Sequence, residues 1–162
     1  MPVPSQIAHA AATYRQNAEV LEKSFDGLTP EEWQTRPNET SNPLLWIAGH
    51  IVWSRAMALG FLGSQWSRPW LPLFARGAKL VEPSEYPAPE EIVLAWKDVK
   101  ASLCTAMEGA SEETLSAPGP EKGPSFDGKM SGLVGFLAFH ETYHVGQAAY
   151  LRRWLGHGQV IG

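Results

Sequence analysis

The chain has 162 residues, 44% of them hydrophobic and 19% charged, which suits one domain with a substantial core and leaves too little chain for two. Its net charge of -4, with no basic run beyond Arg152-Arg153, argues against nucleic acid or an anionic membrane as a partner. A single cysteine, Cys104, excludes an intrachain disulfide framework and a zinc site built from cysteines.

The first element is an amphipathic helix, which we expect from about Pro4 to Phe25 because apolar side chains recur in steps of three and four. Gly27 ends it, and the order Thr29-Pro30-Glu31-Glu32 then predicts a short helical turn with a capping box, ending near Trp33. No basic region followed by an apolar run precedes the helix, and no stretch reaches about 18 uninterrupted apolar residues. We therefore expect a cytoplasmic protein.

A second helix opens at Asn42-Pro43 and has the sequence LLWIAGHIVWSRAMALGFL. Apolar residues cover nearly all of its sides, so it should be buried deeply or shared with another subunit. His50 lies near its middle, between Trp46 and Trp53. These two tryptophans are expected in the core, with the wall of a binding pocket as the alternative.

A long connection follows between Gly63 and Pro89, where the periodicity disappears and five prolines occur. A crossover of this length suits helices that are parallel or not adjacent, and its aromatic side chains are expected to pack first and to contact substrate second. The third helix, from about Glu90 to Glu108, has one apolar stripe and a polar back. Cys104 falls one place off that stripe and is interpreted as a small packing residue rather than a nucleophile.

The fourth helix is expected to begin at Ser131, which is its predicted cap, and to end before Gly156. His140 and His144 stand four residues apart on it, which places both imidazoles on one face, roughly 6 Å apart at Cβ. That face is the apolar stripe of the helix, so the pair should be buried. A buried histidine pair needs a partner, and a metal ion is one.

Four long helical segments and no convincing strand pattern predict an all-α fold, a four-helix bundle with a long crossover connection, in a single domain over residues 1–162. Metal sites in bundles use side chains of facing helices, so a third ligand should lie midway along another helix. His50 is the candidate, because at about 1.5 Å of rise per residue it can share one level of the bundle with His140 and His144. His9 and His157 fall near the ends of helices and are interpreted as ordinary surface histidines.

The segment from His140 to His144 also has the pattern H-E-x-x-H, which zinc metalloproteases use. Those proteases take a third ligand downstream, but Tyr150 occupies the expected histidine position and no Asp or Glu follows Glu141. The predicted fold also lacks a sheet that would hold an extended peptide, so a peptidase is disfavoured. Glu141 is turned about 100° from His140, where it could act as a base, orient a ligand or form an exposed charge on the helix face.

The order of an early bundle helix, a histidine in LLWIAGHIVWSR and then HETYHVGQAAYLRRWLG resembles the DinB/YfiT-like metalloenzyme superfamily. The likeness spans nearly the whole chain, and the two histidine-bearing helices are its specific part. It implies a DinB-like bundle, frequently a homodimer, that binds zinc or nickel through His50, His140 and His144. Better-understood relatives are mycothiol-dependent maleylpyruvate isomerases and transferases that join bacillithiol or a similar thiol to electrophiles. Some relatives have an acidic residue one turn after the first histidine, where this chain has Ser54.

The expected function is therefore metal-dependent transfer of a low-molecular-weight thiol to a small electrophile. Three neutral imidazoles leave the metal an open position, at which a bound thiol or water loses its proton more readily. Gln147, one turn beyond His144, could hydrogen-bond a metal-bound ligand or serve equally as a buried structural amide. Two alternatives stay open: a non-catalytic bundle with a structural metal whose second helix serves dimerisation or partner binding, and a metal-dependent hydrolase of a small molecule.

Overall fold

The computed structural model describes residues 2–161, and this part of the chain contains helices and no strand. Four long helices form the bundle and two short helices lie in the connections, which confirms the predicted all-α fold. Three 3₁₀ turns, at Ser5–Ile7, Leu71–Phe74 and Pro83–Glu85, complete the regular structure of the described residues. In chain order the helices are α1 (Ala8–Phe25), α2 (Pro30–Gln34), α3 (Leu44–Phe61), α4 (Pro89–Gly109), α5 (Glu112–Ser116) and α6 (Met130–Trp154).

Helices α1 and α6 pack side by side and run in the same direction. The Asn17 side chain of α1 donates a hydrogen bond to the carbonyl of Ala138 in α6 at 3.3 Å. Further along, Arg152 near the end of α6 donates to the carbonyl of Asp26, just past the end of α1. The middle of α1 thus contacts the first half of α6, and the end of α1 contacts the end of α6. The two helices are therefore parallel.

Helix α3 runs in the opposite direction to α6 and in the same direction as α4. Ile47 near the start of α3 lies across a groove from Leu151 late in α6, whereas Phe61 at the end of α3 shares a cleft with Leu133 early in α6. The last turns of α3 and α4 line one groove together. The bundle is therefore up-down-down-up, and the long connection joins parallel helices, one of the arrangements that its length predicts.

The helix starts show one prediction that is confirmed and one that is wrong. At α2 the Thr29 hydroxyl accepts from the Glu32 N–H at 3.3 Å, and the Glu32 carboxylate accepts from the Thr29 N–H at 2.8 Å, as the capping box predicts. At α6 the predicted cap, Ser131, instead lies in the first turn and donates to Asp127 at 3.0 Å. Asp127, in the preceding loop, accepts a hydrogen bond from the Gly132 N–H at 3.1 Å. It thus provides a partner for one of the first N–H groups of the helix, which have no partner within the helix itself.

Helix α3 is the central helix of the bundle, and most of its side chains are buried against α4, α6 and the long connection. Leu44–Phe61 is long and apolar enough to cross a membrane by length and composition, but 78% of this window is buried inside the protein. The core helix of a soluble bundle passes the same test, so this is weak evidence for a membrane span. The predicted deep burial of the helix is confirmed.

The long connection between α3 and α4 packs closely on the bundle. Trp66 donates a hydrogen bond to Asp98 of α4 at 3.1 Å, and Phe74 is completely buried. A Cβ atom on residue 49 would overlap the Phe74 ring, so only Gly49 lets the connection approach α3 this closely. The prediction that aromatic side chains of this segment pack is confirmed, and the packing brings the backbone of residue 74 to His50.

Candidate metal centre

Three histidines from two helices meet in the interior of the bundle. His50 lies in α3, and His140 and His144 lie one turn apart in α6. The Nε2 atom of His140 is 3.1 Å from Nε2 of His144 and 3.4 Å from Nε2 of His50. One ligand atom from each of the three rings lies within 4.8 Å of the other two. The structure thus brings together the three residues that the sequence predicts as metal ligands.

The other ring nitrogen of two of these histidines is held by an oxygen acceptor. His50 Nδ1 lies 2.7 Å from the carbonyl oxygen of Phe74, and His144 Nδ1 lies 2.8 Å from Oε1 of Gln147. Carbonyl oxygens only accept hydrogen bonds, so each Nδ1 carries the proton and each Nε2 of the neutral ring keeps a free lone pair. Metal-bound histidines in proteins are oriented by hydrogen bonds of this kind.

The spacing of the Nε2 atoms suits a single metal ion. Metal–nitrogen bonds of about 2.0–2.1 Å in a tetrahedral zinc site put neighbouring donor atoms about 3.3 Å apart. Two of the Nε2 separations, 3.1 and 3.4 Å, lie on either side of that value. In the part of the chain that the structure describes, no fourth His, Cys, Asp or Glu belongs to the group. The residues present therefore fit a divalent ion held by three protein ligands.

Burial keeps the three rings in the uncharged form that binds metal. Desolvation and, as a smaller cause, electrostatic repulsion from His50 lower the pKa of His144 to about 4. Desolvation also lowers the pKa of His50, although the Phe74 carbonyl acts in the opposite direction. The pKa of His140 is lowered by desolvation first, then by His50 and by the charge of Arg76. Since protons do not bind these rings at neutral pH, their facing lone pairs are free to bind a metal cation.

Two tryptophans of α3 hold the His50 ring between them. The Trp46 ring lies 4.8 Å from the His50 ring and only 9° from parallel, and the Trp53 ring lies 5.2 Å away on a 21° tilt. The residues stand four before and three after His50, so a helix places all three on one face. Trp46 is buried, in keeping with the expected core position, while Trp53 also lines a cleft. The stacking restricts how the imidazole can rotate.

His140 connects the cluster to an open cleft. Its Nδ1 atom is 3.4 Å from the Oγ of Ser54, a buried side chain, and its half-buried ring lines a cleft of about 630 Å³. Apolar side chains form most of the cleft wall, including Trp53, Met57, Phe136 and Leu137. A small molecule in this cleft would lie beside His140, the member of the histidine cluster that lines it.

Glu141 is neither an exposed charge nor part of the histidine cluster. Its carboxylate is completely buried and accepts two hydrogen bonds from Arg55 of α3, at 2.7 and 2.8 Å. The Arg55 guanidinium also donates to the carbonyl of Tyr14 in α1 and stacks over the Trp96 ring of α4. All four long helices meet at this ion pair, which therefore serves the fold and leaves the H-E-x-x-H pattern without a free glutamate.

The remaining candidate residues are distributed over the surface. Cys104 is exposed, so its assignment as a packing residue is wrong; partial desolvation and the nearby Glu108 carboxylate raise the pKa of its thiol, which disfavours a nucleophilic role. His9 is exposed, as predicted. His157 is half-buried and lies 2.9 Å from the Glu32 carboxylate, so it attaches the end of the chain to α2 rather than standing free.

Sequence reasoning missed two residues that shape the site. Arg55 is the only charged residue in an otherwise apolar helix, and this was a signal, because a charge on such a helix needs a buried partner. Phe74 acts through its carbonyl oxygen, and nothing in its side chain or spacing predicts that role.

Comparison with known proteins gives one clear result. A family model described as the DinB superfamily matches residues 13–148, which is most of the chain and includes all three histidines. No curated protein sequence is significantly similar to the chain.

Proposed function

The chain belongs to the DinB superfamily, and on this premise we propose that it is a metal-dependent enzyme that joins a low-molecular-weight thiol to a small electrophile. The supporting observation is the convergence of three Nε2 atoms beside a cleft, without a fourth protein ligand among the described residues. Catalytic metal sites keep a position open in this way, whereas structural zinc sites are closed by four protein ligands. His50, His140 and His144 would hold the ion, for which we propose zinc or nickel.

The residues around the cluster have distinct roles in this proposal. A bound divalent ion supplies Lewis acidity, which lowers the pKa of a thiol that coordinates it. The Phe74 carbonyl and the Gln147 amide orient two of the rings, and the mainly apolar walls of the cleft would contact the organic part of the reactants. In the reaction, the thiol sulfur forms a bond to the electrophilic carbon. A leaving group departs with its bonding electrons, and the thiol proton passes to solvent.

A thiol-transfer assay tests the proposal. Zinc- or nickel-loaded protein is mixed with a panel of small thiols and 1-chloro-2,4-dinitrobenzene, and the coloured adduct is followed by its absorbance. We expect at least one thiol to react faster with wild type than without protein, and His144→Ala to lose that acceleration. His9→Ala removes an exposed histidine outside the cluster and should keep it. Equal rates for wild type and His144→Ala with every thiol would contradict the proposal.

The alternatives have less support from the same observations. A purely structural metal would favour a fourth ligand, and the described residues offer none at the cluster. A hydrolase would use water where the transferase uses a thiol, but a cleft with mainly apolar walls favours organic reactants over water. The thiol assay separates these possibilities, because a hydrolase would consume the electrophile without consuming thiol.

We also propose a homodimer, formed through the outer face of α6. Phe139, Tyr143, Tyr150 and Trp154 are exposed along this face, and Gly146 lies between them. An exposed apolar surface of this kind commonly marks an interaction site. The spacing is close to symmetric about Gly146, with tyrosines three and four residues away and the other rings seven and eight residues away.

A two-fold axis near Gly146 would place each aromatic ring of one α6 opposite a ring of the antiparallel α6 of a second copy. A Cβ on this glycine would meet nothing within 4 Å, so the surface is open to a partner helix. Sedimentation equilibrium should give the dimer mass for wild type and the monomer mass for Tyr143→Lys. Leu94→Lys alters an exposed leucine of α4 and should stay dimeric. A monomeric wild type would contradict this interface.

A further inference from the structure

The cleft beside His140 combines apolar walls with two positive charges. Arg76 and Lys122 join its lining, and none of the described lining residues is an Asp or a Glu. The cleft volume of about 630 Å³ lies in the range of pockets that hold small organic ligands. The lining therefore favours a molecule that is apolar over most of its surface and negatively charged at one end.

The two cations come from separate segments of the chain. Arg76 belongs to the long connection, two residues after Phe74, and Lys122 belongs to the loop that precedes α6. Both side chains are exposed, and within the described residues neither has a hydrogen bond or an ion pair. Two cations and no acidic side chain in the lining give the cleft a positive charge, which would attract an anionic ligand.

We propose that this cleft binds a small carboxylic acid, with its apolar body against Phe136 and Leu137 and its carboxylate within reach of Arg76 and Lys122. The inference rests on the proposed function in taking the cleft as the substrate site, and it names the class of the electrophilic substrate. The Arg76 guanidinium can hold a carboxylate through two parallel hydrogen bonds, whereas the Lys122 ammonium acts as a point charge. A neutral analogue of the same shape would keep the apolar contacts and lose both interactions.

Direct ligation of a metal by the carboxylate is the main competing explanation for any preference for acids. The competing explanation requires a bound ion, whereas attraction to Arg76 and Lys122 does not. Binding to metal-free protein therefore separates the two. It also separates this inference from the proposed function, because the affinity of the metal-free cleft does not depend on catalysis.

The test compares 4-phenylbutyrate with 4-phenylbutanamide by isothermal titration calorimetry at low salt, with metal-free and zinc-loaded protein. We expect the metal-free protein to bind the acid about 5- to 10-fold more tightly than the amide. Arg76→Gln and Lys122→Gln should each weaken acid binding about 2- to 5-fold, and the double variant should remove the preference. Lys97→Gln alters an exposed lysine of α4 and should change neither affinity.

Equal affinity of wild type for the acid and the amide would overturn the inference. A preference that occurs only with zinc and survives in the double variant would overturn it as well, because the metal would then be the carboxylate partner. If the metal-free protein shows the expected preference while the protein fails to retain zinc or to transfer thiols, the cleft assignment stands and the proposed function alone is contradicted.

Discussion

Helices α3 and α6 carry two buried polar clusters, the three histidines and the Arg55–Glu141 pair. His50 and Arg55 stand five residues apart on α3, and Glu141 directly follows His140 on α6. In the ion pair, two charged hydrogen bonds satisfy the carboxylate, and the guanidinium is further enclosed by Tyr14 and Trp96. In the histidine cluster the Nδ1 atoms have hydrogen-bond partners within the chain, and the Nε2 atoms face one another.

The difference between the two clusters indicates a different role for each. The Arg55–Glu141 pair is complete within the chain, so it stabilises and specifies the packing of the four helices. Hydrogen bonds within the chain orient the rings of the histidine cluster, and its Nε2 atoms are free to bind an ion from outside the chain. Substitutions in the first cluster should therefore change the stability of the fold, and substitutions in the second should change metal binding.

The largest expected effect is on the ion pair. Glu141→Gln leaves the Arg55 charge buried and unpaired, so the free energy of unfolding should fall by about 3–5 kcal/mol. Urea denaturation followed by circular dichroism measures this change. Glu19→Gln removes an exposed carboxylate from α1 and should alter stability by less than about 0.5 kcal/mol. The comparison breaks down if Glu141→Gln folds with unchanged stability and fails to bind metal.

Metal removal should have the next largest effect. A ligand that binds only the folded state at 100 times its dissociation constant stabilises that state by about 2.7 kcal/mol. Wild-type protein with excess zinc should therefore unfold at a higher temperature than the same protein with a chelator, by differential scanning calorimetry. His144→Ala should show no such difference. A shift of equal size in His144→Ala would mean that zinc stabilises the bundle at some other place.

A smaller effect should follow from loss of the hydrogen bond to His144. Gln147→Leu removes the acceptor that fixes the ring, and metal affinity should fall about 10- to 100-fold. Competition with a zinc-binding dye measures the affinity, and the stability of the metal-free protein should change little. Gln16→Leu, at an exposed position of α1, is the matched control. Unchanged zinc affinity in Gln147→Leu would show that its contact with His144 does not support the site.

The smallest expected change is the dependence of metal affinity on pH. Burial holds the pKa values of all three histidines below 6.5, and that of His144 at about 4, so the folded protein has few protons to release on binding metal. Zinc affinity should change less than about twofold between pH 8 and 7 and begin to fall only as the pH approaches the lowered pKa values. A tenfold loss for each pH unit already above pH 7 would contradict this.

The helices and the histidine cluster were predictable because both depend on local periodicity. A spacing of four residues puts His140 and His144 on one face whatever surrounds them, and helix rise gives the level of His50. The capping box of α2 is equally local and was also predicted correctly. The start of α6 was not predicted correctly. Asp127, in the loop before the helix, accepts a hydrogen bond from the Gly132 N–H of the first turn, and Ser131 does not cap the helix.

Partners that come from distant parts of the chain could not be predicted. Glu141 lies 86 residues after Arg55, and only the packing of α3 on α6 brings them together. The Phe74 carbonyl reaches His50 because of the path of a loop without periodicity, which no local pattern specifies. The two cations beside the cleft come from two such loops, so the charge of the proposed substrate site was also not predictable from the sequence.

The measurement that tests the central claim most directly is elemental analysis of protein purified without a histidine tag. Wild type, His50→Ala, His144→Ala and Glu141→Gln should be compared after incubation with zinc or nickel and removal of free metal. The account predicts close to one metal per chain for wild type and for folded Glu141→Gln, and almost none for the two histidine variants. A metal-free wild type, or histidine variants that retain the metal, would contradict the three-histidine site.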